Sequence, residues 1–200
     1  MKIENWRGIF AHFKETLTRY GDIMMQNSEH EGLSSFQGAI NQSAKEHESS
    51  AHLFIRCLSR YFKVDDSYLS FVTCTLMKST LKGFANGTGM PMCILSLGTP
   101  SNERTTGYSL MIEGHLFFKS NSLLKTYLIF FLLQNLLMID SPPGKKSIRP
   151  LVAAVNHLVF NITYRRDEVG KKLKKLINLL DTINREKNTQ DILGNRVPSN

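Results

Sequence analysis

Wound at about 3.6 residues per turn, residues 123–139 are apolar nearly all round, because Lys125, Thr126, Gln134 and Asn135 fall on different faces. Such a helix belongs in an interior. Its uncharged part, residues 126–139, has 14 residues, short of the about 20 that cross a bilayer. It ends at Asp140 and the breaker Pro142-Pro143-Gly144. The pattern predicts a central core helix in which at least three of Phe130, Phe131, Leu132 and Leu133 are buried.

The preceding segments are amphipathic. Ile3, Trp6, Phe10, Phe13, Leu17, Tyr20 and Met24 recur at intervals of 3 and 4, the seam of one packed helix face. Bulky aromatics suit an intramolecular groove better than a coiled-coil dimer. Residues 27–50 are polar and weakly periodic, which predicts a mobile segment with one short helix near residues 34–44. The stripe returns at Leu53, Phe54, Cys57, Leu58, Tyr61 and Phe62, and Asp65-Asp66-Ser67 caps a second helix expected over residues 67–82.

Strand signals follow. Residues 92–97 are a short apolar run and residues 108–118 a longer one with Tyr108, Leu110 and Ile112 on one face, so a β-hairpin is expected over residues 91–119. Gly114 would allow a bulge, after which Leu116 and Phe118 regain the buried face. Two strands alone are marginal in water, so the hairpin must lie on helices or gain strands from this chain or another copy. Pro150 suits the first turn of a helix lined by Val152, Val155, Val159 and Ile162 and ended by Arg165-Arg166. The last helix carries the stripe Val169, Leu173, Leu176, Ile177, Leu180 and Ile183. Polar residues 188–200 predict a disordered tail. Together these elements predict an α+β fold, mostly helical: a single globular domain over residues 1–187 with one antiparallel hairpin packed on helices.

Charge changes the picture. The chain holds 25 Lys+Arg against 17 Asp+Glu, a net charge of +8. Residues 1–144 hold 13 against 12, residues 145–187 hold 11 against 4, and the remainder one of each, so seven of the eight net charges lie in one block. Clustered cations attract polyanions. The candidate anion-binding residues are Lys145, Lys146, Arg149, Arg165, Arg166, Lys171, Lys172, Lys174 and Lys175. Four lysines near a helix N-terminus oppose its dipole at a cost of about 0.3–1 kcal/mol each at low salt, which bound anion would offset. The adjoining stripe has no Trp or Phe, so adsorption to an anionic membrane would be electrostatic. RNA or a ribonucleoprotein is the other partner class, without an RNP aromatic motif, GXXG clamp or zinc-finger spacing to read sequence.

Catalytic chemistry leaves little trace. His47 and His52 are five apart, whereas two zinc ligands on one helix face need a spacing of four. Residues 83–91 share only their glycines with a phosphate loop, and no GxSxG occurs. No cofactor, metal or small-molecule substrate is expected. A site assembled from distant residues would leave no such trace, so an enzyme stands as one alternative class and an RNA-binding accessory protein as another. Cys57, Cys74 and Cys93 lie in apolar runs without CxxC spacing, which predicts free thiols and a reducing compartment. The first six residues lack a signal-peptide pattern, so an intracellular, cytoplasmic protein, peripheral to membrane at most, is expected. On that reading the sequons at Asn41, Asn86 and Asn161 go unused.

Residues 107–122, Gly-Tyr-Ser-Leu-Met-Ile-Glu-Gly-His-Leu-Phe-Phe-Lys-Ser-Asn-Ser, sit in a small basic chain of helices and a hairpin without catalytic motifs. In this the chain resembles the matrix proteins of negative-strand RNA viruses, the rhabdovirus group in particular. The likeness covers 16 residues; a PPxY-type segment and a lysine-rich N-terminal arm are lacking. The resemblance implies a helix-and-sheet domain that self-assembles between membrane and nucleocapsid. The expectation is a non-enzymatic basic structural or adaptor protein that forms homo-oligomers and binds an anionic membrane surface or a ribonucleoprotein.

Overall fold

The computed structural model describes residues 3–46, 49–64, 73–74, 92–99, 102–113, 115–137, 147–161 and 168–194. In chain order its elements are helix α1 (Ile3–Gln26), a 3-10 helix (Glu31–Phe36), α2 (Gln37–Glu46), α3 (Ser50–Tyr61), strands β1 (Thr73–Cys74), β2 (Met92–Thr99), β3 (Asn102–Ile112) and β4 (His115–Ser120), then α4 (Leu123–Leu137), α5 (Arg149–Phe160) and α6 (Glu168–Gly194). The fold is α+β and mostly helical, with a four-stranded sheet, three of its strands antiparallel, packed on helices. The chain divides into two compact units, residues 1–10 with 59–155 and residues 11–58 with 156–200.

The first unit is organised on the sheet. Its strand order is β1-β2-β3-β4, with β2, β3 and β4 antiparallel and β1 joining β2 in parallel. Tyr108, Leu110 and Ile112 pair with Ser96, Ile94 and Met92, so they share a face as alternation predicts. Three details differ from expectation. The long strand over 108–118 is two strands, because Glu113 takes a left-handed φ of 48° and Ile112 pairs with His115 across the turn. The bulge falls beyond the turn: Leu110 faces Phe118 while Met111 faces Leu116, leaving Phe117 as the extra residue. Leu116 is consequently exposed rather than back in the core, and Phe118 is half-buried. Gly114 itself lies outside the described residues. Finally, Thr73–Cys74 is strand where a helix over 67–82 was expected. The β-branched Val72, Thr73 and Thr75 around it favour extended chain. The rest of that expected helix lies outside the described residues.

Helix α4 packs on β3 and β4. It buries Thr126, Tyr127, Leu128, Phe130, Phe131 and Gln134. Tyr127 stacks on Phe131 with ring centroids 6.2 Å apart, and Phe130 meets Phe131 edge-on at 5.5 Å. Leu132 and Leu133 are only half-buried, so two of the four residues 130–133 are in the core rather than three. A helix lying on a sheet buries the side that faces it, whatever the composition of the other. Lys125 Nζ lies 5.7 Å from the centre of the Phe10 ring, a cation–π contact. Ile148, Leu151 and Val155 extend the core from α5. Pro150 is in the first turn of α5, as expected. That helix ends sooner than expected, at Asn161, whose left-handed φ of 53° is a common helix stop.

The second unit is helical. Phe13, Leu17, Tyr20 and Met24 of the α1 seam are buried, with Leu53, Phe54, Cys57 and Leu58 of α3. Residues 27–50, expected as a polar segment with one short helix, hold both the 3-10 helix and α2. Leu33, Phe36 and Ile40 recur at helical spacing there and are buried, so a sparse stripe suffices where a groove receives it. His30 opens the 3-10 helix, its Nδ1 accepting the Gly32 N–H at 3.0 Å. In α6 Leu173, Leu176, Leu180 and Ile183 of the expected stripe are buried, while Val169 and Ile177 are half-buried. The helix runs on to Gly194, so the tail expected from Asn188 begins as helix.

Candidate polyanion-binding face

Lys171, Lys172, Lys174 and Lys175 are all exposed in the first turns of α6, with Leu173 and Leu176 buried between them. At about 100° per residue the four lysines span an arc of about 160°, opposite the apolar stripe. Packing uses one side of the helix and leaves the cations on the other. Asn178, Thr182 and Arg185 are exposed too and continue the same side at spacings of 3 and 4. Lys171 to Arg185 is a ridge roughly 21 Å long. These last three residues were missed from sequence although the same helical spacing would have found them, because net charge alone had drawn attention to the lysines.

Further along α6 the charges are engaged within the unit. Asp181 Oδ1 accepts from Arg19 Nη2 at 3.3 Å, and Glu186 Oε2 lies 3.4 Å from His30 Nε2. Lys187 Nζ donates to the Gln26 carbonyl at 3.4 Å, and Arg185 Nε to the Asp181 carbonyl at 3.2 Å. Arg19 also lies over the Tyr20 ring at 5.3 Å. Burial pushes the Tyr20 hydroxyl above its ordinary pKa, the Asp181 carboxylate adds to the rise, and Arg19 opposes it. By contrast Lys171, Lys174 and Lys175 form no ion pair with any described residue. Their field adds to the positive end of the helix dipole, which is where an anion gains most.

The other candidates are distributed differently. Arg149 is exposed at the first residue of α5, its backbone N–H donating to Ser147 Oγ at 3.2 Å, and it belongs to the first unit. Lys145, Lys146, Arg165 and Arg166 lie outside the described residues. So do His47 and Glu48, while His52 is buried in α3. His115 is exposed on β4. Cys57 and Cys93 are buried thiols outside any disulfide. Among the described residues no group of three or more His, Cys, Asp or Glu could hold a metal ion, and no helix is long and apolar enough to cross a membrane.

Comparison with protein-family models, with characterised proteins and with solved structures finds no match to this chain.

Proposed function

We propose that this chain is a non-enzymatic basic structural or adaptor protein of the cell interior that self-associates and binds a polyanionic surface, an anionic membrane or a ribonucleoprotein. It would act in the manner of the viral matrix proteins that residues 107–122 resemble. The observation that carries the reading is the separation of roles on α6: its apolar stripe is consumed by packing, while four lysines stand exposed together on the opposite side. With that stripe buried, the helix has no apolar face to insert among lipid tails. Attachment to a membrane would be electrostatic and reversed by salt. On RNA the ridge meets phosphates rather than bases, since none of its residues is aromatic.

The test is binding of the full chain, over a series of salt concentrations, to phosphatidylserine-containing vesicles, to phosphatidylcholine vesicles and to nonspecific single-stranded RNA. Affinity for at least one anionic ligand should fall steeply with salt. Changing Lys171, Lys172, Lys174 and Lys175 together to Gln should remove most of it and, on RNA, reduce the salt slope by up to roughly 3. Binding to RNA without binding to vesicles would make this an RNA-binding accessory protein. Unchanged affinity and slope in the variant would reduce the lysines to an ordinary solvated face.

A further inference from the structure

Between Lys171 and Lys187 the acidic residues of α6 are Asp181 and Glu186, and both are turned aside. Asp181 Oδ1 accepts from Arg19 of α1 at 3.3 Å. Glu186 Oε2 lies 3.4 Å from Nε2 of His30, the ring nitrogen that carries the proton because Nδ1 accepts the Gly32 N–H. At about 100° per residue the two carboxylates stand about 140° apart round the helix, one on each flank of its exposed side. Lys171, Lys174, Lys175, Asn178, Thr182 and Arg185 lie between these flanks within an arc of about 100°, and all six are exposed. They make a crest without an acidic or apolar residue, offering polar side chains at every turn of about 5.4 Å.

The uncharged members of the crest narrow the choice of partner. Thr189 bends its hydroxyl back to the Arg185 carbonyl at 2.9 Å, a bond that threonines in helices commonly make. Thr182 makes no such bond, and among the described residues neither its hydroxyl nor the Asn178 amide has a hydrogen-bond partner. Arg185 uses its Nε on the Asp181 carbonyl, which leaves its Nη nitrogens for a ligand. The surface potential of an anionic bilayer acts on charge alone, so Asn178 and Thr182 gain nothing from that field. A nucleic-acid backbone is held by Asn and Thr as well as by Arg and Lys, since phosphate and sugar oxygens accept from all of them. The ribose 2′-hydroxyl both donates and accepts, as the Asn amide and the Thr hydroxyl do.

We propose that the polyanion taken by this face is single-stranded RNA, held along its sugar–phosphate backbone with the lysines and Arg185 on phosphates and Asn178 and Thr182 on phosphate or ribose oxygens. The inference rests on the anion binding in the proposed function and selects one of its two partners. Such binding is independent of base sequence, because backbone contacts carry no sequence information and the crest has no aromatic side chain on which a base could stack.

Fluorescence anisotropy with two labelled single-stranded RNAs of unrelated sequence, and co-sedimentation with phosphatidylserine-containing vesicles, both on the full chain over a range of salt, separate the partners. Asn178→Ala with Thr182→Ala should weaken binding to both RNAs roughly fivefold or more. The salt slope should stay as in the wild type, since no charge is removed, and so should vesicle binding. Alanine ranks above both residues in helix propensity, so this variant should be at least as stable, and thermal melts by circular dichroism check that its loss is not unfolding. Arg185→Gln should weaken RNA binding and also lower the salt slope by about 0.7. A folded double variant with wild-type RNA affinity overturns the inference and leaves the anion binding of the lysines standing. A wild type that binds vesicles but neither RNA does the same. A wild type that binds neither RNA nor vesicles overturns the inference and the proposed anion binding together.

Discussion

The Ser50 carbonyl of α3 occupies the space that a Cβ on Gly21 of α1 would fill. The Ser50 hydroxyl donates to the Asp22 carboxylate beside it, and the Tyr20 and Phe54 rings meet with centroids 5.3 Å apart. The two helices approach at this point because Gly21 has no side chain. Gly21→Ala should therefore cost about 1–3 kcal/mol through overpacking. Gly8→Ala, in the same helix but with nothing within 4 Å of its Cβ, should be neutral or stabilise by up to about 1 kcal/mol. Urea denaturation of the two variants reads both effects.

The half-covered α4 makes a graded prediction. Phe131, fully buried between Tyr127 and Phe130, should cost about 3–5 kcal/mol on truncation to Ala. Leu136→Ala, on the exposed side, should change stability by no more than about 0.5 kcal/mol. Equal losses in chemical denaturation would mean that the helix is enclosed on all sides.

The exposed lysines of α6 oppose the helix dipole and one another. Replacing all four by Gln should leave the fold intact and, at low salt, raise the melting temperature slightly by relieving like-charge repulsion three and four residues apart, about 0.2–0.5 kcal/mol per pair. The gain should shrink as salt screens the field. Thermal melts at low and high ionic strength measure the difference, and a large destabilisation would show that the lysines hold the helix in place.

Tyr20 links the α1 and α6 charges to pH. Its hydroxyl is held above the ordinary 10.0, first by burial, then by Asp181. The unfolded chain releases this proton near pH 10 while the native chain keeps it. Its contribution to stability is thus fully present below that pH and lost as pH rises through the raised value. Asp181→Asn removes the second cause only, so phenolate absorbance should show Tyr20 titrating at lower pH than in the wild type yet still above its ordinary value. An unchanged titration would assign the whole rise to burial.

Much of the candidate face was legible because it is local. The lysines and the stripe of α6 lie within a few turns of one helix, and spacing alone assigns them to opposite sides. Lys145, Lys146, Arg165 and Arg166 share the block in sequence but lie outside the described residues, and Arg149 belongs to the other unit. Charge counted along a chain does not say which cations share a surface. The region 27–50 was under-read for the converse reason: Leu33, Phe36 and Ile40 are too few to declare a helix locally, and burial supplies the rest.

The sequence by itself determined the helical stripes of α1, α3 and α6, the strand character of 92–97 and 108–112, and the placement of most net charge in one block. Each is set by periodicity or composition within one segment. Only the tertiary structure decided which side of α4 is covered, that the strand breaks at Glu113 and bulges at Phe117, that Gly21 seats the Ser50 backbone, and that Leu116, Phe117, Leu136 and Leu137 meet water. Those outcomes depend on the partner each segment meets, and an all-apolar helix or an uninterrupted strand run carries no periodicity that points to a partner.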